Sequence, residues 1–166
     1  MIFNSIMSPV IIRVESFLNK QGISYEKCDP GVFSTTKATE QIKAKCTPEY
    51  GTKAIVVHAK DRNGNEGYII IALPCNKKID IKKMKTETGY YDIVFATPEE
   101  IFFLTNGLKI GGIPPLGNMF GIKTVCDKSV FNREEIIFNV GRNNLFYIVP
   151  TKDYRAIILP LEVSIV

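Results

Sequence analysis

Gly107-Leu108-Lys109-Ile110-Gly111-Gly112-Ile113-Pro114-Pro115-Leu116-Gly117 is the stretch from which the rest of this chain is best read. Four glycines and two prolines fall within eleven residues, soon after Thr97-Pro98-Glu99-Glu100, a capping box with proline at the first helical position. A helix is therefore expected from Pro98 to a stop at Gly107, with the glycine-rich segment leaving its end. Glycines let a ligand approach the backbone and reach its N–H groups, while prolines hold a loop in one shape. The segment has no Gly-Lys-Ser/Thr and does not open a helix after a strand, so it is neither a P-loop nor a dinucleotide-binding turn. Composition alone leaves two readings open: a rigid turn between helix and strand, or a backbone cradle for a ligand.

Working outward, the flanking segments alternate between helical and strand periodicity. Ser8-Pro9 opens a helix whose apolar positions are Val10, Ile11, Val14, Phe17 and Leu18, stopped at Gly22, and Ile23–Cys28 reads as a short strand. A Ser34-Thr35-Thr36 cluster precedes a second helix running towards Lys45. Lys53 opens the strand Ala54–Ala59, which turns through Asp61-Arg62-Asn63-Gly64-Asn65 into a hairpin partner, Tyr68–Leu73. A lysine-rich helix around Ile81–Glu87 and a strand Asp92–Ala96 lead to the capped helix. After the glycine-rich loop come short strands at Thr124–Cys126, Ile136–Val140, Leu145–Val149, Arg155–Ile158 and Leu161–Ile165. Helices interleave with hairpins rather than alternating with strands. This pattern implies one α+β domain over residues 1–166.

Composition narrows the chemistry. The 166 residues carry a net charge of +4, with 45% hydrophobic and 23% charged residues, as in ordinary globular proteins. His58 is the only histidine, which excludes HExxH zinc sites and histidine cages. The cysteines Cys28, Cys46, Cys75 and Cys126 form no CxxC pair, so they read as reduced thiols of a cytoplasmic protein, and no metal or cofactor is expected. The apolar start, Met1 to Ile12, lacks a basic region and contains Pro9, and no apolar run approaches the ~20 residues that span a bilayer. No membrane partner is expected.

Individual side chains add less. Lys53 stands at the mouth of an apolar strand, where it could project a cation into a pocket or simply be solvated. Asp127 ends the strand Thr124-Val125-Cys126 and reads first as a turn former. His58, between Val57 and Ala59, reads as structural. Lys77, Lys78, Lys82, Lys83 and Lys85 sum with Asp80 to +4, the charge of the whole chain. That face is either solvated or a contact surface for nucleic-acid phosphates.

Taken in order, these pieces resemble the YbaK/ProX aminoacyl-tRNA deacylases, related to the editing domain inserted in some prolyl-tRNA synthetases. The resemblance runs from about Phe33 to Ile158. It rests on Gly51-Thr52-Lys53-Ala54-Ile55-Val56-Val57, on Ile79-Asp80-Ile81-Lys82-Lys83, and above all on Gly107–Gly117, which is similar to a G-x-x-x-G-G-x-S-P-x-G loop. Thr124-Val125-Cys126-Asp127 and Val140-Gly141-Arg142-Asn143-Asn144-Leu145 complete it. The resemblance implies a mixed, barrel-like sheet with surrounding helices. It implies hydrolysis of the ester joining a wrong, small amino acid such as cysteine or alanine to the 3′-terminal adenosine of a tRNA, without a cofactor. It assigns Lys53, Gly112 and Asp127 to catalysis, Asp127 orienting Lys53 or the ribose hydroxyl. Thr35, Thr36, Gly111, Ile113, Pro114, Pro115 and Gly141 are assigned to the substrate, and Lys77, Lys78, Lys82, Lys83 and Lys85 to tRNA phosphates. The implied partners are the acceptor end of tRNA and an aminoacyl-tRNA synthetase, not DNA.

One departure stands out. Many relatives carry serine where this chain has Pro114, so a hydroxyl and an N–H are both missing, and Ile113 is pushed towards an extended conformation. That leaves a second reading, a non-catalytic module binding tRNA or a synthetase. A third, a hydrolase built on a Cys126–His58 dyad, requires the fold to bring those two side chains together.

Overall fold

The hairpin that begins at Lys53 is the centre of the molecule. In the computed structural model, which describes residues 9–29, 44–47 and 49–166, β2 (Thr52–Asp61) and β3 (Glu66–Pro74) pair antiparallel from Thr52–Pro74 to Lys60–Glu66. Their turn is set by Asp61, whose carboxylate accepts from the N–H groups of Asn63 and Asn65, both at 2.9 Å. On the outer side of β2 lies β4 (Tyr90–Phe95), antiparallel. Beyond β3 come β5 (Lys123–Asp127) and then β8 (Leu161–Val163), both parallel to their neighbours. This mixed five-stranded sheet has the order β4-β2-β3-β5-β8. A second, antiparallel sheet orders β1 (Glu26–Cys28), β7 (Arg142–Pro150) and β6 (Glu135–Val140) as β1-β7-β6.

The α+β class is as expected, but the sheet is not a closed barrel. Among the described residues one isolated parallel bridge, between Gly51 and Ile137, joins the two sheets. Four helices are described: α1 (Pro9–Lys20), α2 (Ile81–Thr88), α3 (Pro98–Thr105) and α4 (Thr151–Ile158). The capping box read from sequence is present. Thr97 and Glu100 form the reciprocal capping box of α3, and Asp80 caps α2 by accepting from the Lys82 and Lys83 N–H groups. The helix expected after Ser34-Thr35-Thr36 lies almost wholly outside the described residues.

One expected strand is a helix. Arg155–Ile158 belongs to α4, because Thr151, Tyr154 and Ile158 are buried at steps of three and four residues while Arg155 points outward to Glu162. Leu159, left-handed at φ 49°, ends that helix before Pro160.

The five-stranded sheet separates two apolar layers. On one face Val57, Ile69, Ile71, Leu73 and Val125 pack with Met84 of α2 and with Ile165. On the other, Val56 and Ile70 meet Ile101 and Leu108, and the glycine-rich loop enters this layer through Ile113. Leu116 continues it into the core of Val14, Leu18, Phe138, Tyr147 and Tyr154. Among the described residues no helix is long and apolar enough to cross a membrane.

Candidate functional site

The loop from Gly112 to Gly117 is buried, whereas Gly111 and the Ile110 side chain are exposed. It is held from outside, mostly by its carbonyls. The Gly112 carbonyl accepts from the Gly141 N–H at 2.8 Å, the Gly111 carbonyl accepts from the Asn139 side-chain amide, and the Pro115 carbonyl accepts from the Tyr154 hydroxyl at 2.7 Å. At the far end the Gly117 N–H donates to Thr124 Oγ1 at 3.1 Å. Two glycines are dictated by space. A Cβ on Gly112 would lie 2.8 Å from the Gly141 carbonyl carbon, and one on Gly117 would lie 2.3 Å from the Ile122 oxygen and from Thr124 Oγ1.

The inventory of N–H donors is short. Gly112 donates to the Lys109 carbonyl at 3.0 Å, closing a turn with Ile110 and Gly111 at its tip. Pro114 and Pro115 have no N–H. Ile113 is thus the single donor of the Ile113–Pro115 segment, and no described residue accepts from it. The amide assigned to catalysis at Gly112 is engaged within the loop; the one beside it has no acceptor among the described residues.

Lys53 and Asp127 come into register across the sheet. Lys53 pairs with Leu73, and the Ala72–Cys126 pairing carries Asp127 to the other side of Leu73, about 10 Å from Lys53 at the strand spacing of a sheet. They do not bond to each other. The Lys53 ammonium donates to the carbonyls of Cys75 at 3.2 Å and Lys77 at 2.5 Å. Asp127 is only 2% exposed, and its carboxylate accepts from the Ser129 N–H at 2.9 Å, from the Ser129 hydroxyl and from the Ile165 N–H at 2.8 Å. Burial by itself would raise its pKa, but these hydrogen bonds hold it below the ordinary carboxylate value. In this fold Asp127 caps a 3-10 turn, Lys128–Asn132, and tethers the strand end beyond β8.

The other candidates divide by location. Lys77, Lys78, Lys82, Lys83 and Lys85 are all exposed; Lys83 reaches the Val166 carbonyl at 2.5 Å, and Lys85 lines a 760 Å³ groove with Arg62 and Tyr90. Thr35 and Thr36 lie outside the described residues. Cys126 is buried beside Asp127 and its thiol is pushed well up, mainly by burial. His58 pairs with Tyr68, four residues or about 13 Å along β3 from the Ala72 that pairs with Cys126, and packs edge-on against the Tyr68 ring. The fold does not form that dyad. Asn139, Thr124 and Tyr154 were missed from sequence. They hold the loop from positions 7 to 39 residues distant, and nothing local marks them.

A family model for the aminoacyl-tRNA editing domain matches residues 29–157. The chain belongs to that family. A segment of 85 residues is 28% identical to the proline–tRNA ligase of Thermosipho melanesiensis, covering 51% of this chain and 15% of that ligase. Among solved structures, a candidate trans-editing enzyme for prolyl tRNA synthetase superposes with a TM-score of 0.72 at 20% identity, covering 96% of this chain and 98% of that one. A scaffold protein used for grafting linear epitopes does so with a TM-score of 0.74 at 17% identity, covering 96% and 98%. The matched family region takes in the loop, Lys53, Asp127 and the Gly141 turn of this editing domain.

Proposed function

We propose that this editing domain is a cytoplasmic deacylase that hydrolyses mischarged aminoacyl-tRNA. The observation that carries the reading is the pinned loop, whose carbonyls are tied from β6, from the Gly141 turn and from α4 while the Ile113 N–H has no described acceptor. A water adds to the ester carbonyl, the Ile113 N–H stabilises the oxyanion, and the bond to the ribose oxygen breaks with that oxygen taking a proton. One preorganised donor of this kind is worth ~2.7–4 kcal/mol. The Lys53 ammonium supplies a second favourable charge near the strand mouth. Cys126 and His58 are not required, since the aminoacyl ester is labile and positioning supplies much of the acceleration. Lys77, Lys78, Lys82, Lys83 and Lys85 serve the tRNA phosphates, and an aminoacyl-tRNA synthetase is the second partner.

A loop fixed at four points does not expand, so small residues such as alanine and cysteine are admitted and bulky ones are excluded. Discrimination between neighbours in size is limited to ~1–3 kcal/mol per methylene. Pro114 favours the other reading, a binding module, because it removes a donor from the loop. A panel of mischarged tRNAs separates the two. Turnover of alanyl- or cysteinyl-tRNA with phenylalanyl-tRNA spared is the expected result, and binding without turnover of any member selects the module.

A further inference from the structure

Helix α3 ends in two aromatic side chains that the fold does not use. Its inward face is Ile101, Leu104 and Thr105, whereas Phe102 is 53% exposed and Phe103 is 90% exposed. A phenylalanine left almost wholly in water gives up most of the burial that makes the residue stabilising. The chain then passes through Asn106, in the left-handed conformation, and Gly107, at φ 109°, whose Cβ position would lie 3.9 Å from the Phe102 ring. Leu108 dips into the core, and Lys109 and Ile110 return to the surface at the turn that leads into Gly112. Two exposed rings, an exposed cation and the pinned loop therefore follow one another within eleven residues.

We propose that Phe102 and Phe103 form a stacking platform for the unpaired bases at the 3′ end of tRNA, with Lys109 beside the intervening phosphate. This rests on the reading of the substrate as aminoacyl-tRNA. An aminoacyl ester in the loop brings a single-stranded tail of bases and phosphates with it, and that tail must leave across the neighbouring surface. Aromatic faces hold unpaired bases whatever their sequence, and a lysine in the same strip neutralises the backbone. The cation within the strip and its continuity with the loop favour a nucleic-acid tail over a purely apolar partner.

The chain contains no tryptophan, so Phe103→Trp installs a single fluorophore on the platform. Titration with the unacylated ribo-oligonucleotide ACCA should quench it saturably, and Phe102→Ala in the same background should weaken the dissociation constant roughly five- to hundredfold. In deacylation of mischarged tRNA, Phe103→Ala should raise KM with kcat little changed. Both rings being exposed, each variant should keep the wild-type melting temperature. Deacylation that proceeds with no quenching and an unaltered KM overturns the platform and leaves the proposed activity standing. Quenching with no turnover of any mischarged tRNA upholds the platform and removes the activity. Concentration-dependent self-association abolished by Phe103→Ala, with no response to ACCA, overturns the platform in favour of a second copy of the chain.

Discussion

Replacing Gly112 with alanine tests the loop more directly than any change to a charged side chain. The new methyl group would sit 2.8 Å from the Gly141 carbonyl carbon and 3.0 Å from its Cα and oxygen, all of them backbone atoms that cannot rotate away. The same two residues share the 2.8 Å bond from the Gly141 N–H to the Gly112 carbonyl, so relieving the clash stretches that bond. Overpacking of this kind costs ~1–3 kcal/mol, and a weakened hydrogen bond adds up to ~1 kcal/mol. Gly112 does not have a left-handed φ, so alanine also reduces the entropy of the unfolded chain, which offsets ~0.4–1 kcal/mol. The net loss should be about 1–3 kcal/mol. For a chain of this size it lowers the melting temperature by about 2–4 °C per kcal/mol. The effect on deacylation should be larger in proportion, since a shift of about 1 Å in a positioning element can cost about a hundredfold in rate. Thermal unfolding followed by circular dichroism and single-turnover deacylation measure the two effects. Gly67→Ala is the control, having open space at its Cβ position and an ordinary φ. A Gly112→Ala protein that melts and turns over like the wild type would refute the claim that the Gly141 turn sets the loop.

Three further outcomes are expected. Lys53→Ala should slow deacylation 30- to 1000-fold, equivalent to ~2–4 kcal/mol of transition-state stabilisation, while Lys60→Ala, whose ion pair with Glu66 is exposed, should leave the rate unchanged; equal effects from both would remove Lys53 from the mechanism. Asp127→Asn should lower the melting temperature at neutral pH. The folded-state pKa of Asp127 lies below its unfolded value, so its contribution is present above about pH 4 and is lost as pH falls through the folded value; the gap between variant and wild type should therefore narrow in acid, and a gap independent of pH would contradict the assignment. Lys82→Ala with Lys83→Ala should flatten the dependence of log K on log salt for tRNA by roughly 0.7–0.9 for each phosphate that is no longer neutralised, and an unaltered slope would identify these lysines as an ordinary solvated face.

What the sequence made legible was local. The capping box at Thr97, the Asp61 turn and the β2–β3 hairpin each announce themselves within a few residues, and each is present. The loop was visible because its glycines and prolines are adjacent. Long-range assignments fared less well. Arg155–Ile158 reads as a strand because the short apolar run after Arg155 suits either period, and only the burial of Thr151 and Tyr154 upstream decides for a helix. Whether the sheet closes depends on pairings between distant strands, which leave no trace in either strand alone. Asp127 drew notice as a strand-end carboxylate, but its principal donor beyond Ser129 is the N–H of Ile165, 38 residues away. Asn139 and Tyr154 hold the loop through a side-chain amide and a hydroxyl, groups too common for their positions to signal a role.

The order in which the loop's anchors occur along the chain has a consequence for its biosynthesis. Thr124, Asn139, Gly141 and Tyr154 all follow the loop, so none of these bonds can form while Gly107–Gly117 is leaving the ribosome. At ~5–20 residues per second, translation from Gly117 to Tyr154 takes about 2–8 seconds. During that interval the hairpin of β2 and β3 can already fold, while the loop has its full sequence and no fixed shape. A nascent chain arrested before Tyr154 should therefore carry every residue of the loop and still be unable to discriminate between aminoacyl esters by size.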